Sequence, residues 1–155
     1  MEAVLLIGAQ ASGKTTFYRR RFAGTHAWIN RDTLGTPARE RDALARVLAS
    51  GQPWVLDRTN ALAADRAKTI ATAKERGFRV VGYFFPSELK ELLARNSRRQ
   101  GREKIPPAGV IATFKRLQPP TVAEGYDELY TVRVEPGGDF AVEPMHGGLP
   151  PAGES

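Results

Sequence analysis

The chain has 155 residues, of which 41% are hydrophobic, and it carries 23 Lys and Arg against 17 Asp and Glu for a net charge of +6. This length is enough for one domain with a substantial core. The complete absence of cysteine excludes disulfide bonds, thiolate catalysis and a cysteine-ligated zinc site. No apolar run approaches the ~20 residues of a membrane span, and the first strand leaves no room for a signal peptide. We therefore expect a cytoplasmic protein with no membrane association, and the basic balance suggests an anionic partner such as nucleic acid.

Short apolar runs alternate with longer amphipathic segments, which is typical of a parallel sheet covered by helices. The pattern predicts strands over residues 2–7, 26–29, 54–56, 78–85 and 129–134. It predicts helices over residues 14–22, 37–50, 61–76, from 87 towards the Pro106-Pro107 break, and 109–117. The Gly- and Pro-rich segment 136–155 is expected to be a partly disordered tail, which leaves residues 1–135 as the folded domain.

A phosphate-binding loop follows the first predicted strand directly. The segment Gly8-Ala9-Gln10-Ala11-Ser12-Gly13-Lys14-Thr15 fits the pattern G-x-x-x-x-G-K-[ST], and Thr16 continues into a predicted helix. The glycines let consecutive backbone N–H groups point at a phosphate, and the N-terminal dipole of the helix adds to that attraction. Lys14 can reach the β- and γ-phosphates, and the Thr15 hydroxyl can ligate Mg²⁺. The loop therefore predicts that the protein binds a nucleoside triphosphate.

Two acidic residues stand at the carboxyl ends of the second and third predicted strands, where sheets of this kind bind ligands. Asp32 is the candidate general base, because a carboxylate close to the γ-phosphate can accept the proton of an acceptor hydroxyl. Asp57 ends an apolar run as a Walker B acid does, so it can hold a Mg²⁺-bound water or orient an arginine. The alternative for Asp57 is an Asx-turn or a helix cap with Thr59 and Asn60.

A dense arginine cluster precedes the Pro106-Pro107 break. Arg95 and Arg99 are four residues apart, as are Arg98 and Arg102, so on a helix each pair shares a face. Like charges in this arrangement destabilise a helix unless an anion lies between them, and a triphosphate is such an anion. The cluster therefore predicts a lid whose arginines offset negative charge in the transition state. The alternative is a solvated basic face.

Four further features occur in order behind the phosphate loop: Asn30-Arg31-Asp32-Thr33-Leu34-Gly35, Leu56-Asp57-Arg58-Thr59-Asn60, the pair Arg95 and Arg99, and Pro120-Thr121-Val122-Ala123-Glu124-Gly125-Tyr126. Over residues 4–134 this series resembles the 5′-hydroxyl polynucleotide kinases, above all the kinase domain of the animal polynucleotide kinase–phosphatases. Phage-type members of that family carry an arginine three residues after the catalytic acid. This chain has Gly35 there, as the animal type does.

The resemblance implies an α/β P-loop NTPase fold of the kinase type, with a mostly parallel central sheet, flanking helices and a helical lid. It implies transfer of the γ-phosphate of ATP, with Mg²⁺, to the 5′-hydroxyl end of DNA or RNA. Its site residues are carried over as Lys14 and Thr15 for phosphates and Mg²⁺, Asp32 for the attacking hydroxyl, Asp57 as an active-site acid, and Arg95 and Arg99 as the lid.

Two other functions fit the same residues. The first is a small-molecule kinase that acts on a nucleoside, sugar or antibiotic hydroxyl, which needs an enclosed acceptor pocket and a rate that varies little with salt. A polynucleotide acceptor instead requires an open basic groove, with an affinity that falls as salt rises. The second is a switch that hydrolyses ATP slowly and signals by lid movement, although it leaves Asp32 without a task.

Overall fold

A six-stranded sheet forms the centre of the protein in the computed structural model, which describes residues 1–101 and 104–145. The strands are β1 (Glu2–Ile7), β2 (Ala27–Asn30), β3 (Trp54–Asp57), β4 (Arg79–Phe84), β5 (Glu128–Val134) and β6 (Phe140–Pro144). They lie in the order β2-β3-β1-β4-β5-β6, and every neighbouring pair is parallel except β5 and β6. The prediction of a mostly parallel central sheet is confirmed.

Helices cover both faces of this sheet. They are α1 (Lys14–Arg21), α2 (Arg31–Leu34), α3 (Pro37–Ser50), α4 (Ala63–Glu75), α5 (Leu89–Ser97) and α6 (Pro107–Arg116), with a 3₁₀ turn at Val122–Glu124. The continuous apolar run of β1 is buried because its alternate side chains meet helices on opposite sides. Leu5 and Ile7 pack with Val47 of α3 and residues of α4, whereas Val4 and Leu6 pack with the α1 side.

The carboxyl ends of β1, β2 and β3 lie side by side. Leu6 is in register with Asp57, and Asp57 is in register with Asn30. The phosphate loop, α2 and the segment after β3 therefore all leave the sheet at one edge, which is where open α/β sheets bind ligands.

Strand β6 lies inside the segment 136–155, which the sequence assigned to a partly disordered tail, and it extends the sheet beyond the expected domain boundary at residue 135 to Pro144. The turn before β6 is closed by two hydrogen bonds of 2.8 Å, from Gly138 N–H to the Glu135 carbonyl and from Glu135 N–H to the Asp139 carbonyl. Phe140 and Val142 then point to the same face and pack against the core. Residues 146–155, which make up the rest of the expected tail, lie outside the described residues.

The described helices differ from the predicted ones mainly around the arginine cluster. Helix α5 begins after Glu88, which forms a capping box with Glu91, rather than after a Ser87 cap. It ends at Ser97, and the side chain of Asn96 then holds Ile105 through hydrogen bonds of 2.7 and 3.1 Å. Within the described residues, no helix has the length and apolar character needed to cross a membrane.

Candidate active site

The phosphate loop has the tight backbone that its glycines predict. Gly13 has φ of 103°, a left-handed conformation that other residues rarely adopt. A Cβ atom at Gly8 would lie 2.8 Å from the Ser12 hydroxyl oxygen and 3.1 Å from Phe85 Cβ, so a larger residue does not fit there. The Gly8 N–H donates a 3.0 Å hydrogen bond to the carbonyl of Thr59, which ties the start of the loop to the segment after β3.

Lys14 lies inside this loop, as the sequence predicted. Its Nζ donates to the carbonyls of Gly8 and Ala9, each at 2.9 Å, and the side chain is buried. Burial lowers the pKa of Lys14 to about 8; nearby Asp57 and Asp32 oppose this shift and Arg99 adds to it. A phosphate beside the Lys14 ammonium would stabilise the charged form and offset the hydration that burial removes, so the loop fits an anionic ligand.

We therefore expect the affinity for ATP to fall as pH rises above about 8. The bound phosphates favour the ammonium form, so above this pKa the free protein must take up a proton, which costs up to about tenfold in affinity per pH unit. Isothermal titration calorimetry with ATP between pH 7 and pH 9.5 measures this slope. A Lys14→Arg variant, whose side chain stays charged, should lose the slope. An affinity for ATP that is constant across this range in the wild-type protein would contradict the assignment.

Asp57 is buried at the end of β3 and contacts the first residue after Lys14. Its Oδ2 accepts hydrogen bonds from the Thr15 hydroxyl at 2.8 Å and from the Trp28 indole N–H at 2.9 Å. Among the described residues, the Asp57 carboxylate accepts from Thr15 and Trp28 and from neither Thr59 nor Asn60, and the helix that follows begins after Leu62, so the alternative role as a turn or cap does not occur.

The Thr15 hydroxyl and the Asp57 carboxylate are adjacent oxygen donors, which is the donor chemistry that Mg²⁺ prefers. Among residues 1–101 and 104–145, no group of three His, Cys, Asp or Glu side chains could hold a metal by itself. The residues present therefore fit a Mg²⁺ ion that takes its remaining ligands from phosphate oxygens and water.

Asp32 is exposed on the short helix α2, and it lines the same cleft as Lys14 and Asp57. Asn30 fixes this position, since its side chain accepts from the Thr33 N–H at 2.9 Å and donates to the Asp57 carbonyl at 3.1 Å. Neither Asn30 nor Trp28 is among the predicted site residues. Their spacing of two residues in a strand, which puts both on one face, was the available signal.

Arg95 and Arg99 both line the cleft, but they do not share one face of a helix, because α5 ends at Ser97. Arg95 Nη1 reaches the Ala11 carbonyl at 3.5 Å, whereas Arg99 Nη1 is buried without a hydrogen-bond partner in the described part of the chain. A buried guanidinium nitrogen without a partner is costly, and a phosphate oxygen would satisfy it. Arg98 does not line the cleft, and Arg102 lies outside the described residues.

Helices α5 and α6 pack over the phosphate loop, which agrees with a helical lid. Ala9 of the loop is buried with Leu92 of α5 and Val110 of α6. The side chain of Gln10 donates to the Thr113 hydroxyl of α6 at 3.0 Å. The lid helices therefore contact the loop directly through apolar and polar side chains.

These residues surround a cleft with a volume of about 640 Å³. Of the residues that the structure describes, seven basic and two acidic side chains line it: Lys14, Arg19, Arg20, Arg31, Arg58, Arg95, Arg99, Asp32 and Asp57. Arg31 and Arg58 are not among the predicted site residues, although each stands next to a predicted acid. Glu40 holds both, since its Oε1 accepts from Arg58 Nη1 at 2.9 Å and lies 3.7 Å from Arg31 Nη1.

A family model described as an AAA domain matches residues 24–120 of this chain, which is more than half of its length. The protein belongs to this AAA domain family. The match begins after the phosphate loop, so the loop geometry described above is evidence that does not depend on the family model.

Several solved structures share the fold of this AAA domain. They include Kti12 of Chaetomium thermophilum in complex with ADP-AlF3 (17% identity, TM-score 0.63, 87% of this chain and 92% of that chain). A gluconokinase from Sinorhizobium meliloti 1021 matches at 18% identity and TM-score 0.58, over 86% of this chain and 82% of that chain. A sugar kinase from Janibacter sp. HTCC2649 matches at 16% identity and TM-score 0.63, over 86% and 85%. At these identities the likeness shows the P-loop kinase-like fold.

Proposed function

We propose that this protein is an ATP-dependent polynucleotide 5′-hydroxyl kinase, which transfers the γ-phosphate of ATP to the 5′-hydroxyl end of DNA or RNA. The observation that carries the proposal is that the exposed carboxylate of Asp32 lies in the same cleft as the phosphate loop, among mostly basic side chains. Such a cleft suits an anionic acceptor, because each basic side chain that neutralises a phosphate releases counterions. The resemblance over residues 4–134 supports the same activity.

In the proposed reaction, the Lys14 ammonium and the loop N–H groups hold the phosphates of ATP, and Asp32 accepts the proton of the acceptor hydroxyl. The hydroxyl oxygen forms a bond to the γ-phosphorus, and the bond from that phosphorus to the β,γ-bridging oxygen breaks, which releases ADP. Arg99, whose Nη1 has no hydrogen-bond partner among the described residues, offsets the negative charge that develops on the transferred group. When bound by Thr15 and Asp57, Mg²⁺ would supply further neutralisation of the phosphate charge.

A small-molecule kinase is the second candidate, because two proteins with this fold are named as a gluconokinase and a sugar kinase. Salt separates the two functions. The KM for an oligonucleotide acceptor should rise steeply with ionic strength, whereas the KM for a neutral sugar should change little.

The test is transfer of γ-labelled phosphate from ATP, with Mg²⁺, to matched 5′-hydroxyl DNA and RNA oligonucleotides, with nucleosides and sugars, gluconate among them, as parallel acceptors. Labelling of an oligonucleotide, lost in the Asp32→Asn variant, supports the polynucleotide kinase and identifies its better acceptor. If protein that binds ATP labels only a small acceptor, the polynucleotide proposal fails.

We expect the Arg99→Ala variant to lower kcat by about 100-fold or more, with a smaller effect on the KM for ATP, because its guanidinium acts mainly on charge that develops in the transition state. Steady-state kinetics with saturating acceptor measure this effect. Arg98→Ala is the matched control, since Arg98 is exposed and lies outside the cleft lining. Equal kinetics for the two variants would mean that Arg99 belongs to a solvated basic face and does not stabilise the transition state.

A further inference from the structure

The cleft continues past the phosphate loop, away from Asp32. In the sheet, β2 leads to Asp32 and lies on one side of β1, whereas β5 and β6 lie on the other side. Asp32 and the β5–β6 turn therefore stand at opposite ends of the cleft. A triphosphate whose γ-phosphate points towards Asp32 has its nucleoside at the β5–β6 end.

That end is formed by α1 and by the β5–β6 hairpin, and the cleft lining there includes Gly13, Thr16, Arg20, Val134, Gly138 and Phe140. The hairpin lies directly against the phosphate loop, since a Cβ atom at Gly13 would be 3.2 Å from Val134 Cγ2 and 3.4 Å from Phe140 Cε1. Phe140 is itself supported from below, because its ring packs edge-on against the buried ring of Phe17 with 5.2 Å between the centroids. Val134 and Phe140 therefore form an apolar wall that is fixed in position.

Arg20 adds a flat cationic surface to this wall. Its Nη1 donates a 2.7 Å hydrogen bond to the Gly138 carbonyl, and its guanidinium carbon lies 5.4 Å from the centroid of the Phe140 ring. Arg20 is exposed and lines the cleft, so the guanidinium is accessible to a ligand. A planar guanidinium that is held in place stacks well on flat aromatic groups.

We propose that these residues (Arg20, Val134, Gly138 and Phe140, here called the hairpin platform) bind the base of the donor nucleotide by stacking. The ligand class is the planar heteroaromatic base of a nucleoside triphosphate. This role rests on the proposed function only because it requires a nucleotide at the phosphate loop, and it does not depend on the identity of the acceptor. Strand β6 would then contribute to nucleotide binding as well as to the sheet.

The test compares Arg20→Ala with Arg21→Ala, which removes the same charge from the neighbouring exposed residue. Arg21 lies over the Phe17 ring and outside the cleft lining. The dissociation constants for ATP, ADP and inorganic tripolyphosphate are measured by calorimetry without any acceptor. In the Arg20→Ala variant we expect about a tenfold weaker affinity for ATP and ADP, and a change of no more than about twofold for tripolyphosphate. The Arg21→Ala variant should bind all three ligands as the wild-type protein does.

A Phe140→Leu variant keeps apolar volume in the wall but removes the ring beneath Arg20, and it should show the same contrast between ATP and tripolyphosphate. Equal losses for both ligands in the Arg20→Ala variant would make Arg20 a phosphate contact and overturn the proposal, as would an unchanged affinity for ATP. If the expected contrast appears but no oligonucleotide is phosphorylated, the proposed acceptor is wrong and the hairpin platform stands.

Discussion

In the Asp32→Asn variant we expect kcat to fall by about 10²–10⁴-fold, while the dissociation constant for ATP stays within about twofold of the wild-type value. The amide keeps the size of the side chain but cannot accept the proton of the acceptor hydroxyl. Asp32 is exposed on α2, and Asn30 rather than Asp32 makes the hydrogen bonds that hold this helix beside β3. The fold should therefore tolerate the change. Steady-state kinetics and ATP titration of the same preparation measure the two effects.

The matched control is Asp42→Asn, which removes an exposed carboxylate from α3 outside the cleft lining. That variant should retain wild-type kcat. If Asp32→Asn and Asp42→Asn turn over alike, the general-base assignment is wrong. If Asp32→Asn instead loses affinity for ATP, then Asp32 acts on the nucleotide and not on the acceptor.

The Glu124→Gln variant should lower the free energy of unfolding by about 3–5 kcal/mol, because it leaves a buried arginine without its counter-charge. Arg66 is fully buried, and it pairs with Glu124 through hydrogen bonds of 2.8 Å from Nε and 3.0 Å from Nη2. Glu124 also accepts from the Thr121 N–H at 3.0 Å and from the Tyr126 hydroxyl at 3.3 Å. Urea unfolding of the variant and the wild-type protein measures the loss.

The matched control for this variant is Glu75→Gln, since Glu75 is exposed at the end of α4. It should change the free energy of unfolding by less than about 0.5 kcal/mol. A similarly small effect of Glu124→Gln would mean that water can replace the Glu124 carboxylate beside the Arg66 guanidinium. The ion pair would then contribute little to the stability of this part of the fold.

The Arg66–Glu124 pair also connects to the phosphate loop. Arg66 Nη1 donates to the carbonyls of Asn60 and Ala61 at 2.7 and 3.1 Å. The Asn60 side chain in turn donates a hydrogen bond to the Leu6 carbonyl, and the Thr59 carbonyl accepts one from the Gly8 N–H. The segment 120–126, which contributed to the family resemblance, therefore supports the site from behind and does not line the cleft.

Much of the site could be predicted from the sequence because its signals are local. The phosphate loop needs consecutive residues with glycine at fixed positions, and an apolar run before it places the loop at the end of a strand. Asp32 and Asp57 follow predicted strands, and the ends of parallel strands meet at one edge of a sheet. These residues were therefore found without knowing how the strands pair.

Other features could not be predicted because they depend on contacts between distant parts of the chain. Helix α5 ends at Ser97, where the Asn96 side chain hydrogen-bonds to the backbone of Ile105, a contact that helical spacing does not reveal. Arg95 therefore lines the cleft from the helix and Arg99 from the segment after it, whereas the prediction placed both on one helix face. The Gly- and Pro-rich composition after Pro136 predicts a partly disordered tail, but Phe140 packs against Phe17 of α1 on the same face of the sheet, and its segment forms β6. A phosphate-binding α/β domain with its two acids was therefore predictable from local sequence patterns. The lining of the cleft was not, because it is formed by residues far apart in the chain, such as Arg20 and Gly138, which are 118 positions apart and are joined by a hydrogen bond.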